Sequence, residues 1–266
     1  MARQKNGCER HHRPVDGRSL RQPALIGRCF VATAGCLLLD KAMQLPSIPA
    51  AVVFDMDGLL FDTEALYEEA IMVAATECGH DMTPELFRRM LGGVWQSNKI
   101  LLLDHYGVGF PVDTFRTMWM RHFDLMAATR LALKPGAIEL LDTLDAIRLP
   151  RAIATSSSLS TVRHHLAAHD LAARFDAIVS QGDYAVGKPA ADPYLMAAER
   201  LGVEPPLCLA LEDSFNGVQS AHAAGMMVAM VPDLVAHTDE IRALCTVVVD
   251  DLHAVRSLIV AVWDRG

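Results

Sequence analysis

The stretch AVVFDMDGLLFDTEA, residues 51–65, sets two aspartates two positions apart directly behind an apolar run. Ala51 to Phe54 reads as a strand buried on both faces, because four consecutive apolar residues leave no polar face for water. Asp55 and Asp57 then fall at the end of that strand, where an unpaired carboxylate is costly. The stretch therefore predicts a parallel sheet and, at its edge, two carboxylates in need of a partner.

Outward from this strand the same pattern returns. RAIAT (Arg151 to Thr155), AIVS (Ala177 to Ser180), LCLAL (Leu207 to Leu211), MVAMV (from Met226 or Met227 to Val231) and TVVV (Thr246 to Val249) read as further buried strands. Helical patterns lie between them, among them Ser160 to Ala172, Asp192 to Leu201 and Asn216 to Ala224, the last closed by Gly225. Strand–helix alternation predicts an α/β fold, a Rossmann-like parallel sheet covered on both faces. Thr63 to Arg130 breaks the alternation with four helical patterns and no strand, as an inserted α-helical domain would. LKPGA, from Leu133 to Ala137, marks the return to the core. The expected organisation is a leader over residues 1–45, a core over 46–64 and 132–266, and a helical cap over 65–131.

Composition narrows the partners. Of 266 residues, 52% are hydrophobic and 21% charged, which suits a globular chain with ample core. The net charge of −8 argues against nucleic acid, whose phosphates select basic surfaces. Six cysteines show no C-x-x-C pair or zinc spacing, and Cys208 sits inside an apolar run, so reduced thiols and a cytoplasmic location are expected. No stretch reaches the roughly 20 apolar residues of a membrane span, so no membrane partner is expected.

The first 42 residues differ from the rest, with eight Lys/Arg against three Asp/Glu. Their basic start and CFVATAGCLLL imitate the first regions of a signal peptide, but no small-x-small cleavage site follows and Asp40 and Lys41 end the run. The segment is read as a disordered leader, or as a start placed too far upstream, with Met43 the better beginning.

In an open parallel sheet, ligands gather at the carboxyl ends of the strands. Strand ends here deliver Asp55 and Asp57, then Thr155 with Ser156, Ser157 and Ser158, then Lys188, then Glu212 and Asp213. Four carboxylates and one lysine at a shared edge require a cation, and oxygen-only ligands favour a hard ion such as Mg²⁺. Hydroxyls, backbone N–H groups and a lysine suit a phosphoryl group.

DMDGLLFDTE, ATSSS, GKPAADPY and LEDSFNGVQSAHAAGM, in that order, resemble the four motifs of the haloacid dehalogenase-like superfamily. The similarity runs from Ala51 almost to the C-terminus and is nearest to the helical-cap branch, which includes β-phosphoglucomutase and many sugar-phosphate and nucleotide phosphatases. The resemblance implies Asp55 as a nucleophile that forms an aspartyl-phosphate, and Asp57 as the acid/base. It implies Ser156, Ser157 and Lys188 as phosphate-binding residues. Mg²⁺ would be held by Asp55, Asp57 (through its backbone carbonyl), Asp213 and Glu212, the last directly or through water. Ala191 stands where the family usually has Pro, which bears on loop rigidity and not on chemistry.

The expected activity is hydrolysis of a small phosphorylated metabolite, by a chain favoured to be monomeric. A phosphomutase is the rival inside the family. Tyr67 stands where mutase-like sequences carry His, and Trp95 and Gln96 stand where they carry Ser and Arg, so the cap is expected to hold no fixed cation. A non-catalytic binding protein would have lost the nucleophile or a metal-binding acid, and all are present. Gly182 to Lys188 also matches the phosphate-loop pattern, but Pro189 follows where Ser or Thr should bind Mg²⁺. His165 and His169 have metal-ligand spacing on a helix, without a Glu between them and away from the acidic edge; a packing role is expected.

Overall fold

The computed structural model of the protein describes residues 44–91, 95–233 and 237–265. The expected leader lies outside these residues apart from its last two positions, and so do Cys8, Cys29, Cys36 and Gly92 to Val94. Leu45, at the expected leader boundary, is already buried in the core.

Six parallel strands form one sheet: β1 (Ala51–Phe54), β2 (Arg151–Ser158), β3 (Ala177–Gln181), β4 (Cys208–Glu212), β5 (Met227–Met230) and β6 (Val247–Val248), in the order β3-β2-β1-β4-β5-β6. Each of the six expected strands is present. β1 lies at the centre, with Phe54 level with Ile153 of β2 and Leu211 of β4. β2 continues past Thr155 to Ser158 through an irregularity between Ala154 and Ser158, which turns its hydroxyl residues over the end of the sheet.

The alternation along each strand divides the core in two. Val52, Phe54, Ile153, Leu209 and Leu211 face one side. There they meet α5 (Ala137–Ala146), α6 (Leu159–Ala168) and α10 (Leu252–Trp263). Val53, Ala152, Ala154, Ala210 and Val228 face the other. That side is covered by α7 (Asp192–Leu201), α8 (Phe215–Ala223) and α9 (Asp239–Leu244). Burial on both faces is the reason these strands read as unbroken apolar runs, each large side chain contributing about 1.5–3 kcal/mol.

Both ends of α6 differ from expectation. The helix expected to reach Ala172 ends at Ala168, because Asp170 adopts a left-handed conformation (φ 57°) and the chain resumes in a 3₁₀ turn at Ala172–Arg174. Its start is fixed by Ser158, whose Oγ accepts from the Thr161 N–H at 3.2 Å. Helices α5, α9 and α10 lie outside the helical patterns singled out above.

The insertion consists of α1 (Glu64–Glu77), α2 (Pro84–Met90), α3 (Trp95–Tyr106) and α4 (Val112–Arg130); none of its described residues between Glu64 and Arg130 is in a strand. It has its own core around Ile71, Phe87, Met90, Leu102 and Phe115. Leu66, Ala70, Phe123 and Ala127 pack instead into the main core and anchor the insertion to the sheet. The two chain crossings pair with each other: Asp62 N–H donates to Ala132 O at 2.9 Å and Lys134 N–H to Leu60 O at 3.0 Å. His165 is buried edge-on against Phe61, and His169 Nε2 lies 3.0 Å from Leu131 O. Both brace this junction, as packing residues. Burial, with His164 beside it, pushes the His165 pKa down to about 4. Among the described residues, no helix is long and apolar enough to cross a membrane.

Candidate active site

Strand tips assemble the site. Asp55 follows β1 and is buried; Glu212 ends β4 and is fully buried; Asp213 follows it. One carboxylate oxygen from each of the three lies within 4.8 Å of the others. Lys188, carried in by the loop after β3, donates to Asp55 Oδ1 and to Glu212 Oε1, the latter at 2.6 Å. Three of the four carboxylates collected from the sequence thus meet, and Lys188 joins two of them.

Asp57 stands to the side. Its Oδ2 accepts from Ser157 Oγ at 2.7 Å and, at 3.5 Å, from Thr155 Oγ1. Thr155 Oγ1 in turn accepts from the Ser157 N–H at 3.0 Å, so β2's irregular end orients the carboxyl. Ser157, expected as a phosphate ligand, here gives its hydroxyl to Asp57. Ser156 is exposed at the same rim.

Glu212 is the most constrained group. Oε1 accepts from Lys188 and from the buried Tyr194 phenol at 2.5 Å; Oε2 accepts from Ser214 N–H at 3.3 Å and Ser214 Oγ at 3.1 Å. Four donors fill the roughly four acceptor sites of a carboxylate. α8 lies directly against it, and a Cβ on Gly217 would overlap the Glu212 carboxylate. Gly58 has the same relation to Asp213, and its φ of 83° favours glycine independently.

The charges do not balance within the protein. Burial, opposed by Lys188 and reinforced by Glu212 and Asp57, pushes the Asp55 pKa up to about 8. Burial also raises Asp57, against the pull of the Ser157 hydrogen bond, and holds Asp213 well above the usual carboxylate range, with Asp55 adding to it. Lys188 stays cationic despite burial because Asp55 and Glu212 outweigh the lost hydration. Asp57 Oδ1 and Asp213 Oδ1 are buried without a hydrogen-bond partner. Orphaned acceptors, an all-oxygen donor set and surplus negative charge fit a hard cation such as Mg²⁺.

Over residues 49–225 the chain matches the model of the haloacid dehalogenase-like hydrolases. The chain belongs to that family. Within it, the chain is 36% identical over 187 residues to a probable pseudouridine-5'-phosphatase of Drosophila melanogaster, covering 68% of this chain and 80% of that one. It is 33% identical over 176 residues to a phosphorylated carbohydrates phosphatase of Thermotoga maritima, covering 66% and 82%. A solved structure from Thermotoga maritima, provisionally titled a β-phosphoglucomutase, superposes with a TM-score of 0.68 at 29% identity, over 78% of this chain and 97% of that one. The Rossmann-like core with its inserted helical cap is thus the fold of this haloacid dehalogenase-like hydrolase.

Several residues of the site carried no sequence signal of their own. Tyr194, Ser214, Gly58 and Gly217 lie inside the quoted motifs, but their tasks depend on contacts across the fold. Lys134, in the cap's return segment, donates to Asp233 Oδ1 at 2.8 Å, and Asp233 comes from the loop after β5. In the cap the structure corrects the expectation of no fixed cation. Arg116 lines the pocket there, its guanidinium carbon 4.6 Å from the centre of the Trp95 ring.

Proposed function

We propose that the protein is a Mg²⁺-dependent phosphatase acting on a small phosphorylated metabolite through an aspartyl-phosphate. The observation that carries this reading is the cluster of Asp55, Glu212 and Asp213, the first two buried and tied to Lys188 and the third left with Oδ1 unpaired. Relatives named as phosphatases of a pseudouridine phosphate and of phosphorylated carbohydrates support it.

Asp55 attacks phosphorus in line, displacing the alcohol and forming the acyl phosphate on its own carboxylate. Asp57 gives a proton to the departing oxygen, then takes one from the water that cleaves the acyl phosphate. The raised pKa of Asp57 favours the protonated form that the first step needs. Lys188 and Ser156, with Ser157 beside them, hold the phosphoryl oxygens and offset their charge in the transition state. Asp55, Asp213 and the Asp57 backbone carbonyl would hold Mg²⁺, which supplies positive charge to the phosphoryl group and to the nucleophile. Glu212 reaches the ion only by giving up one of its four donors, or through water. In this reading the chain is a cytoplasmic monomer.

Metal removal tests it. Without metal, the folded state binds protons at Asp55 that the unfolded chain releases between pH 4 and about 8. Stability of the metal-free protein therefore falls as pH rises through that window. EDTA should abolish turnover, Mg²⁺ should restore it, and the rise in melting temperature on adding Mg²⁺ should be larger at pH 8 than at pH 5. Full turnover in EDTA, or a melting temperature indifferent to Mg²⁺, would contradict the reading.

Arg116 gives the mutase alternative a point of support, since a cap cation is what a bisphosphate needs. Against it, Tyr67 offers a neutral phenol where imidazole would handle protons near pH 7. With β-glucose 1-phosphate and a trace of the 1,6-bisphosphate, free phosphate should outpace glucose 6-phosphate. The reverse would make the protein a mutase.

A further inference from the structure

Among the described residues, three carboxylate oxygens are buried without a hydrogen-bond partner: Asp57 Oδ1, Asp213 Oδ1 and Asp233 Oδ2. They follow the carboxyl ends of β1, β4 and β5, which are neighbours in the sheet. Asp57 and Asp213 already belong to the site. Asp233 has no task there yet beyond receiving Lys134.

These acids converge on Gly58. A Cβ built there would overlap Asp213 Oδ2 and stand 3.6 Å from Asp233 Oδ2. The unpaired oxygen of Asp233 thus lies against the turn after Asp57, beside the Asp213 carboxylate. Lys134 holds the other oxygen: its Nζ is 2.8 Å from Asp233 Oδ1, and both side chains are largely buried. The Lys134 backbone is fixed as well. Its N–H donates to Leu60 O at 3.0 Å, and the next residue of that turn, Phe61, accepts from the Gly58 N–H at 2.9 Å. The lysine therefore spans from the Gly58 turn to the loop after β5, anchored at both ends. Asp62 is a weaker arm, 3.8 Å from the same ammonium and 43% exposed.

An acid kept only to pair with Lys134 would leave its second oxygen in water. Burying that oxygen unpaired costs free energy, and the cost is recovered when a donor is supplied. Asp213 is an expected ligand of Mg²⁺, and Mg²⁺ keeps several of its waters, which are hydrogen-bond donors. Acids that accept such hydrogen bonds steady an ion's coordination without touching it.

We propose that Asp233 is a further acid of the metal site, acting on the ion through water, and that Lys134 is the residue that positions it. This rests on the metal-dependent reading above.

Calorimetric titration of the metal-free protein with Mg²⁺, without substrate, tests it. Asp233→Asn should weaken binding by about tenfold, and the Mg²⁺ concentration for half-maximal turnover of a small aryl phosphate should rise by the same factor. Lys134→Met gives the sharper result. Removing a cation strengthens the local negative field, so Mg²⁺ would bind more tightly if Asp233 supplied charge alone. Binding should instead weaken by about fivefold, because Asp233 loses its hold. Lys134→Arg, which can still pair with the carboxylate, should keep the affinity within about twofold of wild type. Added to Asp233→Asn, Lys134→Met should cost nothing further. Asp62→Asn removes a charge from the exposed arm of the same lysine and should also stay within about twofold. Melting curves in EDTA identify a variant that has unfolded; if Asp233→Asn does not fold, the contrast between Lys134→Met and Lys134→Arg carries the test. Unchanged affinity in Asp233→Asn, tighter binding in Lys134→Met, or an equal loss in Asp62→Asn would overturn the inference and leave the phosphatase reading standing. A wild type that binds no Mg²⁺ would remove the metal reading and this inference with it.

Discussion

Asp55→Asn should lower turnover of a small aryl phosphate on the order of 10³-fold or more while leaving the fold intact. The amide keeps the shape of the carboxylate but cannot attack phosphorus. Its effect on stability separates a chemical role from a structural one. Buried Asp55 is pushed towards its protonated form by lost hydration and by Glu212 and Asp57, against the pull of Lys188. Replacing it with a neutral group removes that penalty, so the metal-free variant should melt at or above the wild type at pH 8. A residue kept for structure would show the opposite pattern, a loss of stability with turnover preserved.

Gly217→Ala should be the most damaging single-methyl addition in the described site. Its Cβ would enter the Glu212 carboxylate, and that carboxylate has nowhere to go, because Lys188, Tyr194 and Ser214 hold both oxygens. Either α8 shifts or charge-assisted hydrogen bonds break, and we expect a cost of about 3 kcal/mol. Displacing Glu212 also displaces Lys188 from Asp55, so turnover should fall by about 10²-fold. Gly109→Ala is the matched control: nothing lies within 4 Å of a Cβ there, and its stability should stay within about 0.5 kcal/mol of wild type. Equal melting temperatures for the two variants would show that Glu212 is free to move.

Gly217 also shows where reading a sequence stops. Ala51–Phe54 announced a buried strand because burial on both faces leaves an unbroken apolar run, and the same logic found the other five strands. Asp55, Lys188, Glu212 and Asp213 could be collected in advance because parallel strands all end at one edge. Gly217 and Glu212 are close in sequence as well as in space, yet nothing in the letters says that a carboxylate folds back onto the helix. Tyr194 stood in the sequence only as the end of GKPAADPY, and in the fold it is one of the donors to Glu212. Arg116 was invisible as a cap cation because only the crossing of α3 and α4 brings it over Trp95. Local pattern and topology were legible; side-chain pairings set by helix packing were not.

In the proposed mechanism, phosphoryl groups pass through Asp55. Rapid-quench borohydride trapping during turnover, followed by peptide mass spectrometry, tests it most directly, because an aspartyl-phosphate is reduced to homoserine and a free aspartate is not. Homoserine should appear at position 55 in the presence of substrate and Mg²⁺, and not when either is omitted. Label on a different side chain, with turnover undiminished in Asp55→Asn, would contradict it.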